Sequence, residues 1–296
     1  MKEQIYTIPV TDAFREDSEC PLCILEKKLE EQYLEYFLGP SLMEPDHRIE
    51  TNKKGFCRKH FELLYNRQEN RLGLGLIIDT HLQHQNSKLE KLFGRKFSAK
   101  ADKESDDEHV NHEGHVEHEE QVKYEERAEH VERVEYKEHK EAASSFIKNI
   151  TFILKPKRTN SDNFIETIIE HLKSLEKQCV ICEKMDYTMG RYMDVIFYLW
   201  SKESDFRDLF NKKKGFCLVH FRQLLEGAVK YLNSNNRQVF IESLLKMQLE
   251  NMERIQREVN WFTEKFDYRN KDAPWGNSRD ALPRSIQKIS GYCRLK

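Results

Sequence analysis

Eight residues of the chain have the chemistry of metal ligands, and they fall into two matched sets. Each set is a C-x2-C pair followed by a C-x2-H pair, and the gap between the pairs differs by one residue between the sets. The members are Cys20, Cys23, Cys57 and His60 in the first set and Cys179, Cys182, Cys217 and His220 in the second. Three thiolates and one imidazole form a tetrahedral ligand set that suits Zn²⁺. The spacing therefore predicts two closed, structural zinc sites rather than an open catalytic one.

The residues around each C-x2-H pair are also repeated, as "KKGFCRKHF" at 53–61 and "KKGFCLVHF" at 213–221. The glycine can close a loop, and a Cys and a His three positions apart share one face in the first turn of a helix. A helix N-terminus also favours a thiolate through its dipole. Ligation within each set is the simplest arrangement, and ligation across the two sets stays open at this point.

Other cofactors fit the same residues less well. An iron–sulfur cluster with three cysteines and one histidine is chemically possible, and so is a set of buried apolar cysteines beside a core histidine. Two copies of the whole pattern favour a metal over buried cysteines. Covalent haem attachment is excluded, because Ile24 and Glu183 follow the C-x2-C pairs where a histidine is needed. We therefore predict two zinc ions per chain, with iron–sulfur as the alternative.

Helical periodicity surrounds these ligands. Between 241 and 266 the apolar residues recur at threes and fours, which predicts a long amphipathic helix. The segments 72–93 and 161–177 predict two more helices. Only "QIYTIPV" at 4–10 and "NITFILK" at 149–155 resemble strands. We predict an all-α protein built from two related helical units, each with a Cys3His metal site.

A charged segment divides the chain. Residues 99–143 contain no Leu, Ile, Phe, Trp or Cys, so they cannot bury enough apolar surface to offset their chain entropy. The predicted organisation is a helical metal-binding unit at 1–98, a charged His/Glu-rich linker at 99–144, and a second metal-binding unit at 145–296 with a long helix and a tail. Four of the six linker histidines recur every three residues, and we interpret these four as a solvated face rather than as a metal stripe. They are His109, His112, His115 and His118.

Bulk properties limit the class of partner and the compartment. The formal net charge is −2 and charged residues make up 34% of the chain, which argues against a general polyanion binder despite the lysines at 53–54 and 212–214. The chain has no apolar run long enough to cross a membrane and no apolar segment of a secretion peptide at its start. We therefore expect a cytoplasmic protein, whose thiols stay reduced, and a protein partner rather than nucleic acid or a membrane.

The sequence contains no recognised catalytic motif: G-x-G-x-x-G, a P-loop, G-x-S-x-G and H-E-x-x-H are all missing. The apolar stretch 192–200 is typical of a core helix, with a pocket lining as the alternative. Three interpretations remain: a zinc-stabilised macromolecular interaction module, a thiol and zinc redox sensor, and a small-molecule binder or enzyme that uses an apolar helical pocket. The first is preferred because nothing specific supports catalysis.

Several strings resemble an uncharacterised family from anaerobic Gram-positive bacteria that carries only a domain-of-unknown-function label. The resemblance rests on "IYTIPVTDAFREDSECPLC", "YNRQENRLGLGLIIDTHL", "KGFCLVHF" and "FDYRNKDAPWGNSRDALPRSIQ". It covers most of the chain outside 99–143. The family is marked by duplicated C-x2-C and GFC-x2-H motifs, so the resemblance supports metal binding. It implies no activity, although members sometimes carry a transporter substrate-binding label.

Overall fold

The computed structural model describes residues 4–97 and 160–295. In these two ranges the regular structure is entirely helical, as predicted. The strand-like "QIYTIPV" lies inside the first helix. The segment "NITFILK", the linker with its regularly spaced histidines and the predicted unit boundaries lie outside the described residues. The described helices include no segment with the length and apolar character of a membrane span.

Eleven α-helices follow one another in the described ranges. Those of the N-terminal half are α1 (Gln4–Arg15), α2 (Pro21–Leu38), α3 (Pro45–Lys54), α4 (Arg58–Arg67) and α5 (Arg71–Phe97). Those of the C-terminal half are α6 (Asn160–Lys177), α7 (Val180–Lys202), α8 (Ser204–Asn211), α9 (Leu218–Tyr231), α10 (Ser234–Glu264) and α11 (Ala281–Ser290). Short 3₁₀ turns lie at Pro40–Met43, Tyr268–Asn270 and Gly276–Ser278.

The two halves of the chain share one compact unit. It contains the residues up to Gln85 and those from Lys177 onward, while the described residues between Asn86 and Glu176 belong to a second unit. In the first unit, α1 and α2 of the N-terminal half pack against α7 of the C-terminal half. In the second unit, the rings of Phe93 and Phe164 meet edge to face at 5.7 Å.

Aromatic side chains from both halves form the core of the first unit. Phe14 of α1 packs against Phe206 and Phe210 of α8, with ring centroids 5.1 and 5.7 Å apart. Phe216, which directly precedes Cys217, lies 5.4 Å from Phe210. Large aromatic side chains of this kind bury much apolar area and dominate core energetics. The aromatic core therefore extends to the loop that carries Cys217, a candidate metal ligand.

The apolar stretch 192–200 of α7 lies in this core. Phe197 and Trp200 are fully buried there and both contact Phe240 of α10. Helix α10 has the predicted period, and Ile255 of the predicted apolar set is buried. Its first turns differ in phase, because the buried residues there are Phe240, Leu244 and Met247, whereas Leu245 of the predicted set is 42% exposed.

Candidate metal centres

All eight predicted ligands lie at the N-termini of four helices, in the same two positions. Cys20 and Cys179 are the extended residues just before α2 and α7, with φ of −158° in both and ψ of 107° and 119°. Cys57 and Cys217 precede α4 and α9 in the same way. The second residue of each pair is then the third residue of its helix. Because the peptide dipoles place partial positive charge at a helix N-terminus, this position stabilises thiolates.

The structure brings these eight residues together as two clusters, and each cluster takes one pair from each half of the chain. The first cluster is Cys20, Cys23, Cys217 and His220, and the second is Cys57, His60, Cys179 and Cys182. Ligation within each sequence set, the simplest arrangement on spacing alone, is therefore not what the structure shows. A pair separated by two residues can be read from sequence, but the partner pair depends on how α2, α4, α7 and α9 pack.

Distances within the clusters match a tetrahedral site. The ligand atoms of each cluster all lie within 4.8 Å of one another. In the first cluster, Cys23 Sγ lies 3.6 Å from Cys217 Sγ and 3.4 Å from His220 Nδ1. With Zn–S near 2.3 Å and Zn–N near 2.0 Å, tetrahedral geometry separates two sulfurs by about 3.8 Å and a sulfur from a nitrogen by about 3.5 Å.

The second cluster has nearly the same dimensions. Cys57 Sγ lies 3.8 Å from Cys182 Sγ, and His60 Nδ1 lies 3.2 Å from both Cys57 Sγ and Cys179 Sγ. Both donor sets are three sulfurs and one nitrogen, so each could hold one metal ion with all four positions filled. The donor chemistry and the spacing therefore fit the predicted metal.

Carboxylates of α2 face the outer nitrogen of both histidines. Glu30 Oε1 lies 3.4 Å from His60 Nε2, and Glu26 Oε2 lies 3.7 Å from His220 Nε2. A carboxylate behind a ligating imidazole fixes the ring orientation and raises its basicity. Glu30 is buried and also meets Lys59 at 2.6 Å and Arg294 at 3.0 Å. Burial raises the pKa of Glu30, but these cations and His60 outweigh it and lower the pKa to about 2.

The histidines of both clusters are strongly basic in the absence of metal. Burial lowers the pKa of His60, but contacts with Cys179 and Glu30 outweigh it and raise the pKa to about 9. Cys20 and Cys217 raise the pKa of His220 to about 10 in the same way, again against the effect of burial. At neutral pH a metal ion must therefore displace a proton from each imidazole as it binds.

One thiol in each cluster is the preferred site of negative charge. Burial raises the pKa of Cys179, but His60 and nearby backbone amides outweigh it and lower the pKa to about 6. Hydrogen bonds from Cys20 and Cys23, together with His220, lower the pKa of Cys217. The result is a thiolate beside an imidazolium, which is a donor set prepared for a cation.

The sequence as a whole also matches one described protein family. The profile of a family described as a family of unknown function, DUF6062, matches residues 1–296. The chain belongs to the DUF6062 family. No curated protein and no solved structure matches this chain. The chemistry of this DUF6062 chain must therefore be derived from its own residues.

The two loops that lead into the C-x2-H pairs need glycine. Gly55 and Gly215 have φ of +62° and +79°, a region that side chains with a Cβ rarely adopt. Gly55 also accepts a backbone hydrogen bond at 3.1 Å from the N–H of Val180, the residue after Cys179. This bond joins the two halves beside the second cluster. Pro21 occupies the corresponding place at the first cluster, directly after Cys20, and has no N–H to donate.

At the first cluster of this DUF6062 chain, a buried lysine joins the two halves in place of such a backbone hydrogen bond. Lys288 of α11 is fully buried, and its Nζ donates to the backbone oxygen of Glu19 at 3.0 Å and to that of Lys214. The Glu19 carboxylate, also buried, meets Lys288, Arg254 at 2.6 Å and Arg284 at 3.1 Å. Sequence reasoning missed this network, because its members lie far apart in the chain and resemble ordinary surface charges.

Three of the lysines beside the clusters contact acidic side chains or a backbone oxygen. Lys214 pairs with Asp17 at 2.6 Å, and Lys54 pairs with Glu183 and with Glu50. Lys213 donates to the backbone oxygen of Glu16 at 3.3 Å. The two ion pairs offset part of the positive charge that the sequence places around the GFC loops.

Proposed function

We propose that the chain is a zinc-stabilised helical protein in which two structural Zn²⁺ ions fasten its N-terminal half to its C-terminal half. The observation that carries the proposal is the composition of the two clusters, since each contains three sulfurs and one nitrogen and each takes one ligand pair from either half. Sites with four protein ligands leave no open position for a substrate or water, which is typical of structural zinc. The proposed role of the metal is therefore to hold the fold together.

The spacing of the ligands supports a single ion at each cluster over an iron–sulfur cluster. Sulfur and nitrogen atoms within 4.8 Å of one another can surround one ion. In a cluster of several irons the ligands bind different iron atoms, and bridging sulfides occupy the space between them. Such an assembly needs a wider opening than these donors leave.

Metal analysis of the full chain, purified without chelator under anaerobic conditions, tests the metal and its stoichiometry. We expect two equivalents of zinc and a colourless protein. Broad absorption near about 400 nm with bound iron would indicate iron–sulfur instead. One equivalent of zinc, or none, would contradict the proposal.

We propose that the protein acts in the cytoplasm. Six of the seven cysteines belong to the two clusters, and in the structure all seven are free thiols. Thiolate ligands need a reducing compartment, because an oxidising one converts neighbouring thiols to disulfides. Expression of a tagged chain in its native cell, followed by fractionation, checks this compartment; recovery outside the cytoplasm would contradict it.

We further propose that the protein is an interaction module, and that α11 carries the contact surface for a protein partner. The helix is inverted relative to an ordinary surface helix: Lys288 is 0% exposed, whereas Leu282 is 47%, Ile286 36% and Ile289 60% exposed. The three apolar residues follow i, i+4, i+7 spacing and form one outward stripe. Helices with such a stripe bind by inserting it into an apolar groove.

The size of the stripe favours a transient protein partner over a second copy of the chain. A stable dimer buries about 800 Å² on each partner, and three partly exposed aliphatic side chains supply much less. Charge substitution tests the surface, with Ile286→Asp as the variant and Val239→Asp, at a 55% exposed position of α10, as the control. A purified partner that binds the wild type and the control, but not Ile286→Asp, supports the proposal. Equal binding to all three proteins would contradict it, as would a stable dimer that Ile286→Asp dissociates.

A further inference from the structure

The two clusters differ in their access to solvent. In the first cluster every ligand is buried, with His220 the most exposed at 3%. In the second cluster Cys179 and His60 are buried, but Cys57 and Cys182 are partly exposed. A reagent in solution therefore reaches two sulfurs of the second cluster before it reaches any sulfur of the first.

The C-terminal helix explains much of this difference. Helix α11 lies over the first cluster, where Lys288 joins the residues just before Cys20 and the loop before Cys217. Gly291, at the end of α11, is so close that a Cβ there would lie 3.8 Å from Cys217 Sγ. At the second cluster the tail contacts the outer carboxylate, through the 3.0 Å contact between Arg294 and Glu30.

The sulfurs of these two partly exposed cysteines are also neighbours and come from different halves of the chain. Cys57 Sγ and Cys182 Sγ lie 3.8 Å apart, at the N-terminus of α4 and in the first turn of α7. A bond between them would join the same two helices that the metal joins. A bond between Cys179 and Cys182 would instead stay within the first turn of α7 and leave the halves unlinked.

We propose that Cys57 and Cys182 are a peroxide-sensitive oxidation site, at which a disulfide between them replaces the second zinc while the first zinc stays bound. The inference rests on the proposed function, since it assumes that both clusters hold zinc in the reduced protein. Exposure of the sulfurs sets the order of reaction, because oxidation follows thiolate character and accessibility.

The reaction with hydrogen peroxide balances as follows. The Cys57 thiolate attacks one peroxide oxygen, the O–O bond breaks, and a sulfenic acid forms as hydroxide leaves. The Cys182 thiolate then attacks that sulfur, the S–O bond breaks, and the S–S bond forms as a second hydroxide leaves. Two protons from solvent convert both hydroxides to water. The two thiolates lose two electrons and peroxide gains them, while Zn²⁺ loses two of its four ligands and dissociates. A thiol reductant reverses the oxidation and allows zinc to bind again.

The experiment follows zinc and cysteines together in the full, zinc-loaded chain. The background variant Cys293→Ser removes the seventh cysteine, which lies in the tail and belongs to neither cluster. Hydrogen peroxide is added, zinc release is followed with a chromogenic indicator, and samples are alkylated and digested with trypsin at intervals. The relevant peptides are GFCR, QCVICEK, GFCLVHFR and EDSECPLCILEK, so each ligand pair is read separately.

We expect one equivalent of zinc to leave about tenfold faster than the other, together with a GFCR–QCVICEK disulfide at Cys57 and Cys182. The peptides of the first cluster should still be alkylated as free thiols at that time, and a thiol reductant with added zinc should restore the second equivalent. Release of both zinc ions at one rate would overturn the inference, as would a disulfide within QCVICEK or a first cluster that reacts earlier. A reduced protein with no zinc would instead overturn the proposed function, whereas two zinc ions that both resist peroxide would overturn the oxidation site alone.

Discussion

At the scale of single residues, each ligand pair depends on the helix that starts at it. The first cysteine of a pair precedes the helix and the second ligand is the third helical residue, so helix formation itself aims both donors at one point. Two helix N-termini meet at each cluster, and a Zn²⁺ ion with three thiolates and one imidazole carries a net negative charge. The positive ends of the helix dipoles favour that charge. The sites thus use local helix structure for geometry and for electrostatics.

The carboxylate behind His60 gives a residue-scale prediction. Replacing Glu30 by Gln removes the charge that meets His60, Lys59 and Arg294. We expect the second cluster to hold zinc about 10- to 100-fold less tightly, because outer carboxylates contribute that much to metal affinity. Competition with a chelator measures the affinity of each cluster for zinc, and only the affinity of the second cluster should fall.

Glu26→Gln is the matched control, one helical turn away on α2. Glu26 faces the histidine of the first cluster at 3.7 Å and is 36% exposed at its side chain. We expect Glu26→Gln to weaken zinc binding less than Glu30→Gln does, and to weaken it only at the first cluster. Equal effects of the two substitutions, or no effect of Glu30→Gln, would show that these carboxylates do not support the sites separately.

The members of the two clusters could be predicted from sequence as candidate ligands, and the residues that support them could not. A Cys and its partner three positions later are close in any helix that starts there, so spacing alone identifies all eight residues. Glu19 and Lys288 come together only because α11 folds back over the first cluster. Nothing in the composition distinguishes these two among the 49 basic and 51 acidic residues of the chain.

At the scale of elements, α11 is fastened by charge on its inner face. Lys288, Arg284 and Arg254 converge on Glu19, which is 4% exposed. Burial raises the pKa of Glu19, but hydrogen bonds and charge from these cations outweigh it and lower the pKa. The inner face therefore carries the polar contacts, and the apolar residues of the helix are left facing outward.

Removal of the Glu19 charge should destabilise the fold. With Glu19→Gln, the fully buried Lys288 loses its anionic partner, and breaking a buried pair in this way costs about 3–5 kcal/mol. Urea unfolding of the zinc-loaded protein, followed by circular dichroism, measures the free energy of unfolding. The control is Asp17→Asn, since Asp17 is 81% exposed and pairs with Lys214 at the surface. We expect it to cost about 1 kcal/mol or less, and similar losses for both variants would contradict a special role for the network.

The sequence predicts which segments form helices, but it does not predict which helices pack against one another. Periodicity predicts α5, α6 and α10 as helices, because apolar residues at threes and fours report one buried face. The phase of α10 is off by one residue at its start, since Phe240 rather than Ile241 faces Phe197 and Trp200. A sequence pattern fixes the spacing of a face but not which aromatic cluster the face meets.

At the scale of the whole molecule, the two candidate metal centres connect segments that are far apart in the chain. Residues up to Gln85 and from Lys177 onward form one compact unit, and neither half contains all four residues of either cluster. Loss of metal should therefore loosen the junction between the halves. We expect a strong chelator to reduce helicity, and zinc added under reducing conditions to restore it, because structural zinc contributes on the order of 10 kcal/mol of binding free energy. Unchanged circular dichroism in the metal-free protein would contradict this.

The charged segment should be dispensable for the metal centres. Residues 104–140 contain no ligand of either cluster and almost no core-forming residues. We expect their deletion to leave zinc content and melting temperature nearly unchanged, since the segment cannot contribute much buried apolar area. Metal analysis and thermal melting of the deletion variant check this, and loss of either zinc ion would show that the segment takes part in the sites.

The most direct test of shared ligation is the zinc content of two double variants. Cys57→Ser with Cys182→Ser alters two ligands of the same cluster in the structure, although they come from different halves. Cys20→Ser with Cys57→Ser alters two ligands from the same half that belong to different clusters. We predict one zinc ion per chain in the first double variant and none in the second. One zinc ion in the second variant and none in the first would mean that each half binds its own ion, and would contradict the account.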